Sequence, residues 1–330
     1  MNADSNMPVD CLIVGGGPAG LTAAIYMARF RRTFTLIDEG FSRAELIPLS
    51  HNLPGYPDGI PGPLLLERLR AQARRYGATA RAGAVTDIEL LPDGQFRASV
   101  EPSSGAEQIV AKNVLLATGV CDIEPRLPNL ERAIRKGYVR HCAICDGFEV
   151  IDRNVAVMGH GAGGLKEALF LRTYTERLTL LTLGEPMSLS SGERGQAQTA
   201  GIRVIETPVA EVFIEANRII ALRLEDGSKH AFDSLYSALG CRINSTLARK
   251  LGARTDNSEG ADALVVDAHQ RTNVPGLYAA GDVIAGLNQI AVAYAGAAIA
   301  ATEIHNSLPK HKSALPPRGA GVHRKSGSFP

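Results

Sequence analysis

At 330 residues, with 45% hydrophobic and 21% charged side chains and a formal net charge of +1, the chain has material for about two buried cores and lacks the basic excess of a nucleic-acid binder. Its five cysteines are odd in number and scattered, which excludes a secreted disulfide framework. Residues 1–10 hold no basic stretch followed by an apolar core, and the longest apolar run, residues 290–304, is too short to span a bilayer, so a cytoplasmic protein without a membrane segment is expected.

Residues 9–14 are a short apolar run that ends in Gly15-Gly16-Gly17-Pro18-Ala19-Gly20. Helical spacing continues through residues 21–29, and residues 34–37 make a second apolar strand ending at Asp38. Strand, G-x-G-x-x-G turn, helix, strand and an acid about twenty residues on form the Rossmann fingerprint. Gly15 permits the tight turn, Gly17 lets the backbone approach a pyrophosphate, and Gly20 permits close packing of helix on strand. The helix N-terminus attracts phosphate, and Asp38 is placed for a ribose diol. Residues 51–57 are a loop rich in turn formers. Residues 114–119 read as a buried strand ending in Ala117-Thr118-Gly119.

After His141 comes Cys142-Ala143-Ile144-Cys145-Asp146-Gly147. Two cysteines so spaced can close as a disulfide and reopen as a dithiol, storing two electrons. Asp146 could supply or remove the proton that each half of that exchange needs. A zinc site would require four ligands. Cys11, Cys121 and Cys241 stand singly, and no second CxxC or HxxxH completes a tetrahedron, so redox chemistry and no metal is expected. A second fingerprint follows at once: strand 155–158, then Gly159, Gly161 and Gly164, a helix over 165–177 and a strand over 178–183. Hinges are expected at residues 119–124 and 240–245. Cys121 and Cys241 fall there and are expected as free thiols in a reducing cytosol. Later, Leu277-Tyr278-Ala279-Ala280-Gly281-Asp282 precedes a helix that begins near Asn288-Gln289-Ile290-Ala291. Residues 309–330 are basic, poor in apolar side chains and hold one aromatic, Phe329; that composition predicts disorder.

On the first glycine turn, Asn52-Leu53-Pro54-Gly55, Ala117-Thr118-Gly119, the CxxC-Asp-Gly run and Gly281-Asp282, the chain resembles the low-molecular-weight thioredoxin reductases from about residue 9 to about residue 308. The resemblance implies an α/β fold of two Rossmann-like dinucleotide-binding domains (three-layer ββα type), the second inserted into the first. Residues 1–120 and 246–308 would bind FAD, residues 121–245 would form an NAD(P)H-like domain carrying the CxxC, and 309–330 a tail. It implies that Asp282 lies along the flavin's ribitol and pyrophosphate, that Asn52 and Pro54 lie near the isoalloxazine, and that the helix starting at Asn288, Gln289 and Ile290 points toward it. It also implies that Cys145 faces the flavin, Cys142 attacks a partner disulfide, and Asp146 is the acid–base group. Thioredoxin or a thioredoxin-like protein would be the partner, and the chain a homodimer.

One stretch departs from that pattern. NADPH-using members carry His-Arg-Arg and a further Arg after the second glycine loop, cations that hold the 2′-phosphate. No basic residue occurs here from position 178 to 192, and the corresponding stretch contains Glu185 between Gly184 and Pro186, a plain turn. The expectation is a flavoprotein that does not use NADPH, resembling a divergent branch in which some members take electrons from ferredoxin. The alternatives are a dithiol oxidase, which shares a His before the CxxC but usually has His where this chain has Asp146, an ordinary NADPH-thioredoxin reductase, and a non-enzymatic flavin-binding regulatory protein. The tail is expected to lie across the flavin with Phe329 stacked on the ring.

Overall fold

The computed structural model describes residues 7–101, 107–215, 218–257 and 262–310. The tail from residue 311 on, with the stacking expected of Phe329, lies outside the described residues.

Two five-stranded parallel sheets carry the fold. In the first, strands run in the order Leu277–Ala279, Val114–Leu116, Cys11–Val14, Phe34–Asp38, Ala80–Ala82. Its central strand is buried at every position because both faces are covered, which is why it reads as a continuous apolar run rather than an alternation. Cys11 and Ile13 pack on helices Pro18–Arg29 and Ile290–Ser307. Leu12 and Val14 face an antiparallel meander, Ala84–Leu90, Phe96–Glu101 and Glu107–Ala111.

The second sheet repeats the plan in the order Arg203–Ile205, Leu178–Leu181, Val155–Met158, Ser234–Ser237, Val139–Arg140. Val155 and Val157 pack on helix Gly161–Leu171, and Ala156 and Met158 on a second meander built from Val209–Glu215 and Arg218–Leu224. The helix expected over 165–177 runs instead from Gly161 to Leu171. Beyond it, Thr173 and Tyr174 turn back onto Phe170 and Leu171 with i→i+3 hydrogen bonds, and β-branched Thr173 and Thr175 do not prolong the helix.

The first sheet draws its strands from before residue 117 and after residue 276, and the second from residues 139–237. A two-stranded antiparallel ribbon, Val120–Asp122 against Cys241–Ile243, joins the two lobes. Thr118 Oγ1 donates to the Asn244 carbonyl at 2.7 Å, and Asn244 Nδ2 donates back to the Thr118 carbonyl at 2.9 Å. Cys121 lies opposite Arg242, and Cys241 opposite Asp122. The two thiols therefore leave opposite faces of the ribbon, and both are free. Among the described residues, no helix is long and apolar enough to cross a membrane.

Candidate active site

The first glycine turn is sterically committed. Gly15 has φ +106°, and a Cβ there would stand 2.3 Å from the Ala117 carbonyl oxygen. Gly20 does not line the cleft below; it lies under the turn, where a Cβ would sit 1.8 Å from the Gly15 carbonyl oxygen. Asp38 Oδ1 accepts the N–H groups of Gly16 at 3.1 Å and Gly40 at 3.2 Å, so the carboxylate is fixed at the end of its strand.

Between the lobes opens a cleft of about 940 Å³, at the upper end of what small-molecule sites enclose. The other cofactor residues expected from the sequence line it, except Pro54, which lies outside the lining. The turn contributes Gly15, Gly17, Pro18 and Ala19, the second strand Asp38, and the next loop Asn52. Ala117, Thr118 and Gly119 form one wall; Gly281, Asp282, Asn288, Gln289 and Ile290 form another. The arrangement fits FAD: a helix N-terminus for the pyrophosphate, a fixed carboxylate at a ribose position, and a space whose lining includes the disulfide. The sequence reading missed Arg43, which sits in the same cleft. Its guanidinium grips Asp122 through two 2.7 Å hydrogen bonds and reaches Asp282 at 3.3 Å. Burial pushes the Asp282 carboxyl up from its ordinary value, and Arg43 opposes that rise.

Cys142 and Cys145 are disulfide-bonded and both line the cleft. They span the one-turn helix Ala143–Asp146, where Cys142 Sγ accepts the Cys145 N–H at 3.1 Å. Across the cleft, Gln289 Nε2 lies 3.5 Å from Cys142 Sγ and 3.3 Å from Cys145 Sγ. Asp146 turns away toward the second sheet, accepting from the Tyr236 hydroxyl at 2.9 Å and pairing with Arg140 at 2.9 Å. Burial raises its carboxyl above the usual range; the Arg140 charge and the Tyr236 hydrogen bond pull it back. Glu167 accepts the Ala143 N–H at 3.2 Å and is likewise raised by burial. His51 Nδ1 meets Glu149 at 2.8 Å, which ties the two lobes. His141, with a side chain only 14% exposed, is held by Glu124 rather than facing solvent. Tyr236, Arg140 and Glu149 carry no motif; only the folded sheet brings them to the CxxC.

The second glycine loop borders none of this. Gly159 and Gly164 pack against each other, with a Cβ on Gly164 falling 2.7 Å from the Gly159 carbonyl carbon. The strand Leu178–Leu181 runs into a tight turn in which Glu185 N–H bonds the Thr182 carbonyl at 3.2 Å, with Leu183 and Gly184 both at positive φ. Glu185 is exposed.

Two Rossmann-like lobes, a dinucleotide cleft and a disulfide opening into it define a flavin-dependent disulfide oxidoreductase. The family profile for pyridine nucleotide-disulphide oxidoreductase matches residues 9–297. Thioredoxin reductase 1 of Saccharomyces cerevisiae is 31% identical over 284 residues, covering 82% of this chain and 88% of its own. The thioredoxin reductase of Streptomyces coelicolor is 32% identical over 297 residues, 86% of this chain and 89% of its own. The crystal structure of thioredoxin reductase from Streptococcus pyogenes superposes with a TM-score of 0.81 at 28% identity, covering 92% of this chain and 98% of that one. The chain belongs to the low-molecular-weight thioredoxin reductase family of FAD-dependent oxidoreductases.

Proposed function

We propose that this enzyme exchanges electrons with a thioredoxin or thioredoxin-like disulfide through Cys142 and Cys145, and that NADPH is not its donor. The observation that carries the reading is a disulfide set in the flavin cleft while the turn at residues 182–185, where a 2′-phosphate would need cations, offers only Glu185. FAD, when bound along residues 15–19, 117–119 and 281–290, supplies or accepts two electrons. On the protein side, opening the S–S bond consumes two electrons and one proton and leaves one thiol and one thiolate. Cys142 then attacks the partner disulfide to form a mixed disulfide, and Cys145 attacks Cys142 Sγ to release the partner as a dithiol. Asp146 carries the proton that Cys145 gives up to one departing partner sulfur, and solvent supplies the second proton of the dithiol. Ile144 and Phe148, 51% and 74% exposed beside the disulfide, suit an apolar protein surface. In this reading residues 1–120 and 246–308 hold the cofactor, residues 121–245 carry the dithiol, and the enzyme is a cytoplasmic homodimer whose donor is ferredoxin or another reductant that is not NADPH.

The test is anaerobic mixing of the oxidised holoprotein with NADPH, then NADH, then excess reduced dithiol, while the blue flavin absorbance is followed. Bleaching by the dithiol and not by NADPH is the expected result. Rapid bleaching by NADPH would make it an ordinary reductase, and no bleaching by dithiol would leave the cysteines without a redox role. Fast reoxidation of the dithiol-bleached flavin by air would favour the oxidase reading.

A further inference from the structure

A disulfide sulfur accepts hydrogen bonds and donates none. The amide of Gln289 must therefore present its NH₂ to Cys142 and Cys145, which turns its carbonyl toward Asn52. Asn52 Nδ2 donates to Gln289 Oε1 at 2.8 Å, and its own Oδ1 is left to accept from Ser50 Oγ at 3.1 Å. Ser50 is buried and pinned by paired backbone hydrogen bonds with Ile60, each 2.9 Å. The sulfurs thus fix the sense of a chain three side chains long, anchored in the cofactor lobe and ending on the cysteines of the other lobe. The two sulfurs are not equivalent within it. Cys142 Sγ already accepts the Cys145 N–H, whereas among the described residues the donor to Cys145 Sγ is Gln289.

We infer that Gln289 is a catalytic residue that stabilises the Cys145 sulfur as it becomes anionic, and that Asn52 is the positioning residue that keeps its NH₂ aimed there. The inference rests on the thiol–disulfide relay proposed above. In that relay Cys145 attacks Cys142 Sγ as a thiolate. In the reverse direction a partner thiolate attacks Cys142 Sγ, the Cys142–Cys145 bond breaks, Cys142 enters the mixed disulfide, and the electron pair leaves on Cys145 Sγ, so both directions pass through the same anionic sulfur. A neutral N–H···S contact then becomes charge-assisted, so it strengthens where charge develops. Such a donor complements the groups paired about the disulfide: Asp146, Glu167 and Glu149 are acidic, Arg140 is committed to Asp146, Arg43 to Asp122 and Asp282, and His141 and His51 are held by Glu124 and Glu149, while Lys136 and Arg242 also line the cleft.

The test uses reduced holoprotein, freed anaerobically of excess dithiol, and follows iodoacetamide labelling of Cys145 against pH by peptide mass spectrometry. Gln289→Met keeps length and loses the donor; Asn52→Leu is neutral and near-isosteric and leaves Gln289 in place. Gln289→Met is expected to move the Cys145 labelling profile up by about one pH unit, slowing labelling near neutrality roughly tenfold. Asn52→Leu is expected to move it the same way by about half as much, roughly threefold. A second readout, the equilibrium of the pair against a glutathione redox buffer, should move in both variants, because a less stabilised thiolate favours the disulfide. Either variant overlaying the parent in both readouts overturns the inference while the relay stands. A parent whose disulfide stays closed in excess dithiol sinks the relay and the inference together.

Discussion

The two lobes are built on one plan and put it to different use. Each has a central strand buried on both faces, a glycine turn into a helix, and an antiparallel meander covering the other side. In the first, the strand after the helix ends in a carboxylate fixed at the mouth of a cleft of about 940 Å³. In the second, the equivalent strand ends in a tight turn with an exposed acid, and what the lobe brings to the cleft includes the disulfide and the half-buried carboxyl beside it. The difference teaches that glycines at that spacing specify a turn and a close helix–strand contact; what is bound is decided by the side chains at the next strand end.

The sharpest way to break the comparison is to spoil both turns equally. A methyl on Gly20 would press on Gly15 at 1.8 Å and one on Gly164 on Gly159 at 2.7 Å, backbone overlaps that neither turn can relax. Each of Gly20→Ala and Gly164→Ala is expected to cost about 3 kcal/mol. Only Gly20→Ala should purify without flavin, while Gly164→Ala keeps it and melts several degrees lower. Absorbance ratios and melting curves read both, and flavin loss from Gly164→Ala would show that the second turn also supports the cofactor. A smaller effect sharpens the contrast from the other side. Glu185→Arg replaces the repelling acid by a cation and is expected to tighten NADPH about tenfold while leaving NADH unchanged. Calorimetric titration measures both, and equal changes for the two nucleotides would mean that the 2′-phosphate does not reach this turn.

Both turns, the central strands and the CxxC were legible because each is encoded locally, by glycines that admit no Cβ and by apolar runs of strand length. The ends were less so: the helix expected to reach residue 177 stops at Leu171, where tightening turns compete with its periodicity. Arg43 and Tyr236 left no trace in the sequence pattern. Their partners Asp122, Asp282 and Asp146 are 79, 239 and 90 residues away, and a single charge or hydroxyl has no periodicity to announce it. Gln289 was read as a helix start, and it immediately precedes helix Ile290–Ser307 on the wall of the cleft. That its amide reaches both sulfurs follows only from how the ribbon at residues 120–122 and 241–243 sets one lobe over the other.

The finest distinction between the lobes concerns how each handles charge at the disulfide. The cofactor lobe offers a neutral amide, the other a carboxyl whose titration balances burial against its two partners. Burial raises Asp146, and the Arg140 charge and the Tyr236 hydroxyl lower it by favouring the carboxylate. If Asp146 delivers the proton to the departing partner thiolate, the protonated form is the active one. Single-turnover reduction of a disulfide by the prereduced protein should then decline as pH rises through the Asp146 value, which lies above that of an ordinary carboxyl. Arg140→Met removes the largest opposing influence, so the carboxyl should hold its proton to still higher pH. The descending limb should shift upward, with a severalfold faster rate on the parent's falling side. Tyr236→Phe, losing one hydrogen bond to the charged form, should move the limb the same way by less, and Asp146→Asn should abolish it. A limb that moves downward in Arg140→Met, or survives in Asp146→Asn, would assign the proton to another group, with Glu167 next in line because it too is half-buried, raised and hydrogen-bonded to the CxxC helix.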